Sequence, residues 1–275
     1  MESPEECRVA ALEIAAARAE TLAAALDGGV EVETRNGWPA AMVCAHYAMR
    51  TSRTLSAAVH LCANSFGVES QSLLRNMSQD MVEVRYIATD PVVLSEQWRV
   101  HESRRRYYVY NSRVELQEMD EPEDLNELEQ LIESDWNEAR DLAAAKLHKE
   151  PKNVSNREAR RYLLKDRWTR LNIHQVAEAA TQKYPDTMEL FEWYPYLSDH
   201  AHGSAGLTGD YLQKQGSQLF VKDHRDPRFK SGSMAVSALV LAHSVLVGLN
   251  DIGLKCDPES LIADLPFSGP EFDDL

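Results

Sequence analysis

The stretch MAVSALVLAHSVLVGL, residues 234–249, is the most apolar run of the chain. It is shorter than the roughly 20 apolar residues that a membrane-spanning helix needs. It also contains His243 and two serines, at positions 237 and 244. We therefore predict that this run is a helix buried in the protein core, and that the chain does not span a membrane.

Helix start and stop signals divide the preceding sequence into further helices. A serine, a proline and a glutamate stand at capping positions in residues 3–6, before an alanine-rich run that stops at Gly28. Pro39 opens a second predicted helix, which reaches Phe66 and is ended by Gly67. These signals predict two long helices in the first quarter of the chain.

Periodicity and proline positions predict the remaining helices. A third helix is predicted over residues 70–88, because its apolar side chains gather on one face: Leu73, Leu74, Met77, Met81, Val84 and Ala88. Pro91 begins a fourth helix, which continues through the tyrosine-rich segment RRRYYVYN. Later helices are predicted over 124–148, 155–164, 172–184, 186–202 and 233–252. Only GSQLFVKDHRDPRF, residues 216–229, has a strand-like composition, so we expect strand content near zero.

The predicted fold class is all-α, a single multi-helix bundle with long helices that spans residues 1–275. Residues 115–135 carry ten acidic residues and no basic residue. A helical pattern follows them, so segment 115–150 is predicted to be an acidic helical insertion or a protruding arm.

Charge and cysteine content restrict the partners and the compartment. The chain has 29 basic and 44 acidic residues, a formal net charge of −15, which makes nucleic-acid binding unlikely without a local basic cluster. Its four cysteines lie far apart, which is typical of reduced thiols in a cytosolic protein. No export signal is visible at the N-terminus, so we expect a cytoplasmic location. The sequence leaves homo-oligomerisation open and points to no cofactor.

The second predicted helix carries a polar stripe without any acid. His46, Arg50, Arg53, His60 and Asn64 fall on this stripe at 100° per residue. The first interpretation is a solvated face. However, solvated faces usually mix lysine and glutamate, whereas arginine with histidine suits a carboxylate or a phosphate. The stripe therefore also predicts contact with an anionic small molecule or with an acidic segment of a partner.

Three later segments supply further candidate residues. Arg75 and Glu83 lie on the third predicted helix, and Tyr108 lies on the fourth. In YPYLSDHAHGSAGLTGDY, residues 194–211, Ser198 and His202 are one helical turn apart, and the small residues after them leave room for a ligand. The alternative is that His202 is a core residue bonded to Ser198.

The predicted site residues fall into two groups. The candidate catalytic residues are His202, Ser198, His60 and Arg53. The candidate ligand-binding residues are His46, Arg50, Arg75, Glu83 and Tyr108. No metal ligand is predicted, because His200 and His202 point to different faces of a helix and no paired metal motif accompanies them.

Two segments together resemble a known family. LLRNMSQDMVEVRYIATDP, residues 73–91, followed by YPYLSDHAHGS, residues 194–204, resembles a broad family of bacterial helical proteins that carry a domain of unknown function. That family has an arginine with an acid one turn later, then Tyr-x-x-Leu-Ser-x-x-x-His. On this resemblance Arg75 matches the arginine, while Gln79 stands where the acid is expected, with Glu83 one turn further. The resemblance covers about residues 40–250 and implies an α-helical fold with no established activity.

The second segment also resembles the helix that carries the Arg-x(4–6)-His ribonuclease signature of HEPN domains. No arginine stands at that spacing before His202, whereas Arg53 and His60 keep it on the second predicted helix. The resemblance implies a ribonuclease toxin or defence protein, or a non-catalytic relative.

The leading functional hypothesis is a cytosolic bacterial helical-bundle protein whose polar cleft binds an anionic ligand or partner. The first alternative is a HEPN-like ribonuclease. The second is a metal-dependent helical enzyme that uses His200, His202 and acids from other helices. The sequence leaves open whether the protein is an enzyme.

Overall fold

The computed structural model confirms the all-α fold. It describes residues 4–27, 29, 31–99, 101–102, 140–141, 143–145, 147–155, 158, 169, 171–201, 212–215, 218–221 and 228–263. The helices are α1 (Pro4–Asp27), α2 (Trp38–Ala63), α3 (Gly67–Ile87), α4 (Ile173–Ala180), α5 (Thr187–Phe191), α6 (Tyr194–Ala201) and α7 (Arg228–Ile252). Residues 91–99 are also helical, and short 3-10 turns occur at Pro151–Asn153 and Glu259–Leu261.

The chain divides into two compact units, Met1–Pro91 with Val176–Leu275 and Val92–Gln175. In the first unit α7 packs against α1, α2 and α3, and α6 packs on α3. The predicted core helix is thus the centre of this unit. Its fully buried residues include Ala235, Leu239, Ala242, Val245 and Leu249.

The helix α7 also meets a length and composition test for crossing a membrane. Its residues Ser231–Ile252 have a mean hydropathy of 1.8 over the most apolar window, and 67% of that window is buried against other parts of the chain. A buried core helix gives the same composition, so this test is weak support for a span.

A glycine lets α7 approach α3 closely. A Cβ atom added at Gly248 would lie 2.8 Å from Cγ1 of Val84, which is fully buried on α3. Because a valine on a helix has little freedom to change its rotamer, this contact leaves no room for a larger residue.

A buried arginine fixes the segment before α5 against α3. Both terminal nitrogens of Arg85 donate to the carboxylate of Asp186, at 2.9 and 3.1 Å, and Nη1 also donates to Oγ1 of Thr187. The guanidinium lies 5.0 Å from the ring centroid of Tyr184, whose hydroxyl donates to Asp251 at the end of α7. This network holds α3, α5 and α7 in one arrangement.

Three local predictions were wrong in detail. The second helix ends at Ala63, not at Phe66, because Ser65 adopts a positive φ of 63° and turns the chain, and Gly67 begins α3 instead of ending α2. The predicted helix over 186–202 is two helices, α5 and α6. The predicted strand-like segment is 216–229, whereas the antiparallel hairpin pairs Leu212–Gln215 with Gln218–Val221, so its first strand precedes that segment.

The second unit, Val92–Gln175, has its own buried residues. Leu94 and Trp98 are buried on the helical residues 91–99, and Ala143, Ala144 and Val154 form a small apolar cluster. Most of the acidic segment 115–150 lies outside the described residues. The prediction of a single domain with an acidic insertion therefore stays a prediction.

The contact at Gly248 gives a test of this packing. We expect Gly248→Ala to lower the free energy of unfolding by about 1–3 kcal/mol, because the added methyl group overpacks the contact with Val84. In a helix with free space around the glycine, the same change raises the free energy of unfolding by up to about 1 kcal/mol. The sign of the measured change therefore tells whether the contact is tight. Urea denaturation measures it, and in a Val84→Ala background the loss should disappear. A stabilising effect in the unmodified background would contradict the packing.

Candidate functional site

Arg75 lies on α3 and contacts two hydroxyl groups of α6. Its Nε donates to Oγ of Ser198 at 3.3 Å, and its Nη2 donates to the hydroxyl of Tyr194 at 3.1 Å. The guanidinium carbon is also 5.3 Å from the Tyr194 ring centroid. Tyr194 is itself buried and stacks on Phe191, with the ring centroids 4.9 Å apart. The packing of α6 on α3 thus holds the arginine in a defined position.

The charge of Arg75 has no counter-ion among the described residues. The side chain is half-buried, and both of its hydrogen-bond partners are neutral. In contrast, the guanidinium groups of Arg50, Arg85 and Arg99 lie against the carboxylates of Asp80, Asp186 and Glu96, respectively. A half-buried cation that meets only neutral groups attracts an anion.

Two further polar residues follow Arg75 along α3 at helical spacing. Gln79 and Glu83 lie four and eight residues later, about 40° and 80° around the helix axis from Arg75. Nε2 of Gln79 donates to Oε1 of Glu83 at 2.9 Å, and the Tyr47 hydroxyl of α2 donates to Oε2 at 2.6 Å. No cation lies within ion-pair distance of Glu83 in the described ranges. We call Arg75, Gln79 and Glu83 the α3 polar row.

A buried carboxylate lies beside this row. Asp80 is 1% exposed, and Nε of Arg50 on α2 lies 3.0 Å from its Oδ2. The contact is an ion pair without good hydrogen-bond direction, since neither Asp80 oxygen accepts a well-directed hydrogen bond from a described residue. The Arg50 side chain, which is 43% exposed, therefore pairs with the charge of Asp80 but leaves its carboxylate oxygens without a well-directed hydrogen bond from a described residue.

Burial raises the pKa of Asp80 from its ordinary value of 3.8 to about 7. The charge of Arg50 lowers this pKa and the charge of Glu83 raises it, but the loss of solvation is the largest effect. A carboxyl group with this pKa exchanges a proton near neutral pH.

Only part of the polar stripe predicted on α2 lies close to Asp80 and the α3 polar row. Arg50 contacts α3 through Asp80, and the ring of His46 meets the ring of Tyr47 edge-on at 5.1 Å. Arg53 and His60 are exposed, and Asn64 donates its amide to the carbonyl oxygen of His60. A role for Arg53 and His60 stays a prediction.

Two predicted site residues lie outside the described residues. They are Tyr108 and His202, and the side chain of His200 is also outside them. Convergence of the α2 stripe with His202 is thus untested. Among the side chains that the structure describes, no group of three or more His, Cys, Asp or Glu residues is placed to hold a metal ion.

A protein-family comparison identifies the region that holds these residues. A family model described as "Family of unknown function (DUF5677)" matches residues 41–219. The chain belongs to this family. The DUF5677 match confirms that the chain carries a domain of unknown function, and the predicted resemblance to HEPN domains stays a prediction. Neither a curated protein nor a solved structure matches the chain.

The DUF5677 match contains the whole polar region described above. It includes nearly all of α2, all of α3 and α6, and therefore Arg75 with both of its hydroxyl partners. The helices α1 and α7 lie outside it, although both pack on α2 and α7 also packs on α3. The core helix and the polar contacts thus come from different parts of the sequence.

Sequence reasoning missed Asp80, Tyr47 and the pairing of Arg85. A signal for Asp80 was present, because this acid falls on the apolar face of α3 between Met77 and Met81. A carboxylate on a buried face requires a partner, and the arginines of the preceding helix, α2, are candidates for it. Tyr47 carried no comparable signal, since a tyrosine on an apolar face is usual in a core.

The raised pKa of Asp80 predicts a pH-dependent stability. The native state holds this proton more tightly than the unfolded chain does, so the free energy of unfolding falls as the pH rises towards 7. Asp80→Asn removes this contribution. We expect its stability relative to the unmodified protein to increase by up to about 3 kcal/mol between pH 5 and pH 8. Urea denaturation across this range measures it.

A matched control for this experiment is Glu69→Gln, on the exposed first turn of α3. Its curve of stability against pH should run parallel to that of the unmodified protein. Parallel curves for Asp80→Asn as well would contradict a proton held at Asp80.

Proposed function

We propose that this protein binds an anionic ligand or partner group at Arg75. The observation that carries the proposal is the guanidinium of a half-buried arginine, held by the hydroxyls of Ser198 and Tyr194, with no carboxylate near it in the described part of the chain. Fixed in this way, the arginine loses little conformational freedom when a ligand binds.

The geometry of the guanidinium indicates how the anion binds. Ser198 and Tyr194 occupy the edge formed by Nε and Nη2, and no described residue accepts a hydrogen bond from Nη1. The remaining N–H groups of Nη1 and Nη2 form the other edge. A carboxylate or a phosphate group accepts two parallel hydrogen bonds from such an edge.

The surroundings favour a small anion over a nucleic acid. The net charge of −15 repels a phosphate backbone, and Asp80 and Glu83 lie on the same helix as Arg75. The hydroxyls and the arginine also need no metal or cofactor to hold one anionic group. A cytoplasmic location, a bacterial origin and a role for His202 beside Ser198 are predictions that accompany this proposal.

Thermal denaturation with simple anions tests the proposal. At phosphate or acetate concentrations about tenfold above Kd, we expect Tm to rise by about 3 °C or more. Arg75→Gln should abolish the rise. Arg75→Lys should weaken it strongly, because an ammonium group keeps the charge but loses the two-pronged geometry.

Two controls separate specific binding from a general salt effect. Arg35→Gln removes an exposed arginine that pairs with Glu33, and the rise in Tm should persist in it. Sodium chloride at equal ionic strength should not reproduce the rise. An equal response of the unmodified protein and Arg75→Gln to every anion would refute binding at this arginine.

The ribonuclease and the metal-dependent enzyme stay as alternatives from the sequence. Arg53 and His60 are both exposed on α2, so they are accessible to RNA. We expect total RNA to remain intact after incubation with the purified protein, because the overall charge opposes RNA binding. Cleavage that disappears in His60→Ala or His202→Ala would favour the ribonuclease instead, and a stoichiometric metal ion in the purified protein would favour the metal enzyme.

A further inference from the structure

The α3 polar row contains two charges of opposite sign, and neither has a counter-ion in the described ranges. Within those ranges Arg75 donates to the hydroxyls of Ser198 and Tyr194 and lies against the Tyr194 ring, and Glu83 accepts hydrogen bonds from Gln79 and Tyr47. Both charged side chains are half-buried. Each of them is thus oriented by neutral groups, and no described residue of opposite charge pairs with it.

The two charges are too far apart to neutralise each other. They are eight residues apart, which is about 12 Å along the axis of an α-helix. Gln79 stands between them and donates to Glu83. Arg50 of α2 pairs with Asp80, and no ion pair joins it to Glu83 in the described ranges. The helix therefore presents a cation and an anion on its half-buried side, about 12 Å apart along its axis and about 80° apart around it.

We infer that the ligand is a zwitterion, which places a carboxylate on Arg75 and an ammonium group towards Glu83. This inference rests on the proposed function and adds the second charged group of the ligand. The spacing selects the length of the molecule. An extended tripeptide spans about 10 Å between its terminal charges, so the free ends of a short peptide or a long ω-amino acid fit the row.

The Glu83 carboxylate is suited to bind an ammonium group. The Tyr47 hydroxyl and the Gln79 amide each donate to one of its oxygens and hold it in place, and each carboxylate oxygen can accept a further hydrogen bond. A protonated amine donates up to three hydrogen bonds and supplies the missing positive charge. A ligand with a dianionic second group would be repelled at the same position.

Three forms of one peptide test the inference by isothermal titration calorimetry at pH 6.5. Trialanine carries both charges, N-acetyl-trialanine carries only the carboxylate, and trialanine amide carries only the ammonium group. We expect trialanine to bind at least roughly tenfold more tightly than the acetylated form, the gain typical of one charge-assisted hydrogen bond. Dialanine should show little of this additional affinity, because its two charges are too close together to reach both Arg75 and Glu83.

Variants test whether the tighter binding of trialanine, compared with the acetylated peptide, depends on Glu83. Glu83→Gln should bring the affinity for trialanine down to that for the acetylated peptide, which itself should bind unchanged. Glu69→Gln, an exposed acid on the first turn of the same helix, should keep the full difference. Arg75→Gln should abolish the binding of both peptides. Melting curves of each variant establish that it is folded.

These measurements distinguish a failure of the zwitterion inference from a failure of the proposed anion binding. If the acetylated peptide binds as tightly as trialanine, or if Glu83→Gln preserves their ratio, the zwitterion is wrong and anion binding at Arg75 stands. If neither the peptides nor phosphate and acetate bind in an Arg75-dependent manner, the proposed function fails and this inference fails with it.

Discussion

The close contact between α7 and α3 is the constraint on which the first unit depends. The helix α7 is apolar on nearly all sides and packs against α1, α2 and α3. At Gly248 it approaches Val84 so closely that not even a methyl group fits. This contact turns the Val84 side of α3 towards the core, and the packing of α2 and α6 on α3 orients its other faces.

The orientation of α3 decides which of its charges are neutralised. Asp80 points into the boundary with α2, where Arg50 reaches it, and Arg85 is buried against Asp186 and Thr187. Arg75 and Glu83 lie on the half-buried face, beside α6 and α2, where hydroxyl and amide groups meet them. One helix therefore serves as a core element and as an anchor for the segment before α5, and it carries the two charges on which the proposed ligand binding rests.

A charge that stabilises the fold is paired within the chain, whereas a charge that binds a ligand needs to remain unpaired. The bidentate pair of Arg85 and Asp186 neutralises the buried guanidinium within the chain, although the Nε–H of Arg85 has no hydrogen-bond acceptor among the described residues. The pair therefore anchors the fold and leaves no free charge for a ligand. Asp80 is buried with an incomplete set of partners, and this raises its pKa. Arg75 is oriented by hydroxyl groups and has no counter-ion among the described residues, and this arrangement is the basis of the proposed anion binding.

The sequence by itself determined most of the helices that the structure describes, the buried role of residues 234–249 and the apolar face of α3, because periodicity and capping depend on neighbouring residues. It also singled out Arg75 and Ser198, through motifs that lie more than a hundred residues apart. Only the tertiary structure decided that these two side chains touch, that Asp80 faces Arg50 and that Arg85 meets Asp186. The partner of a charge depends on which distant segments approach it, and that is set by how the helices pack, which local patterns do not encode.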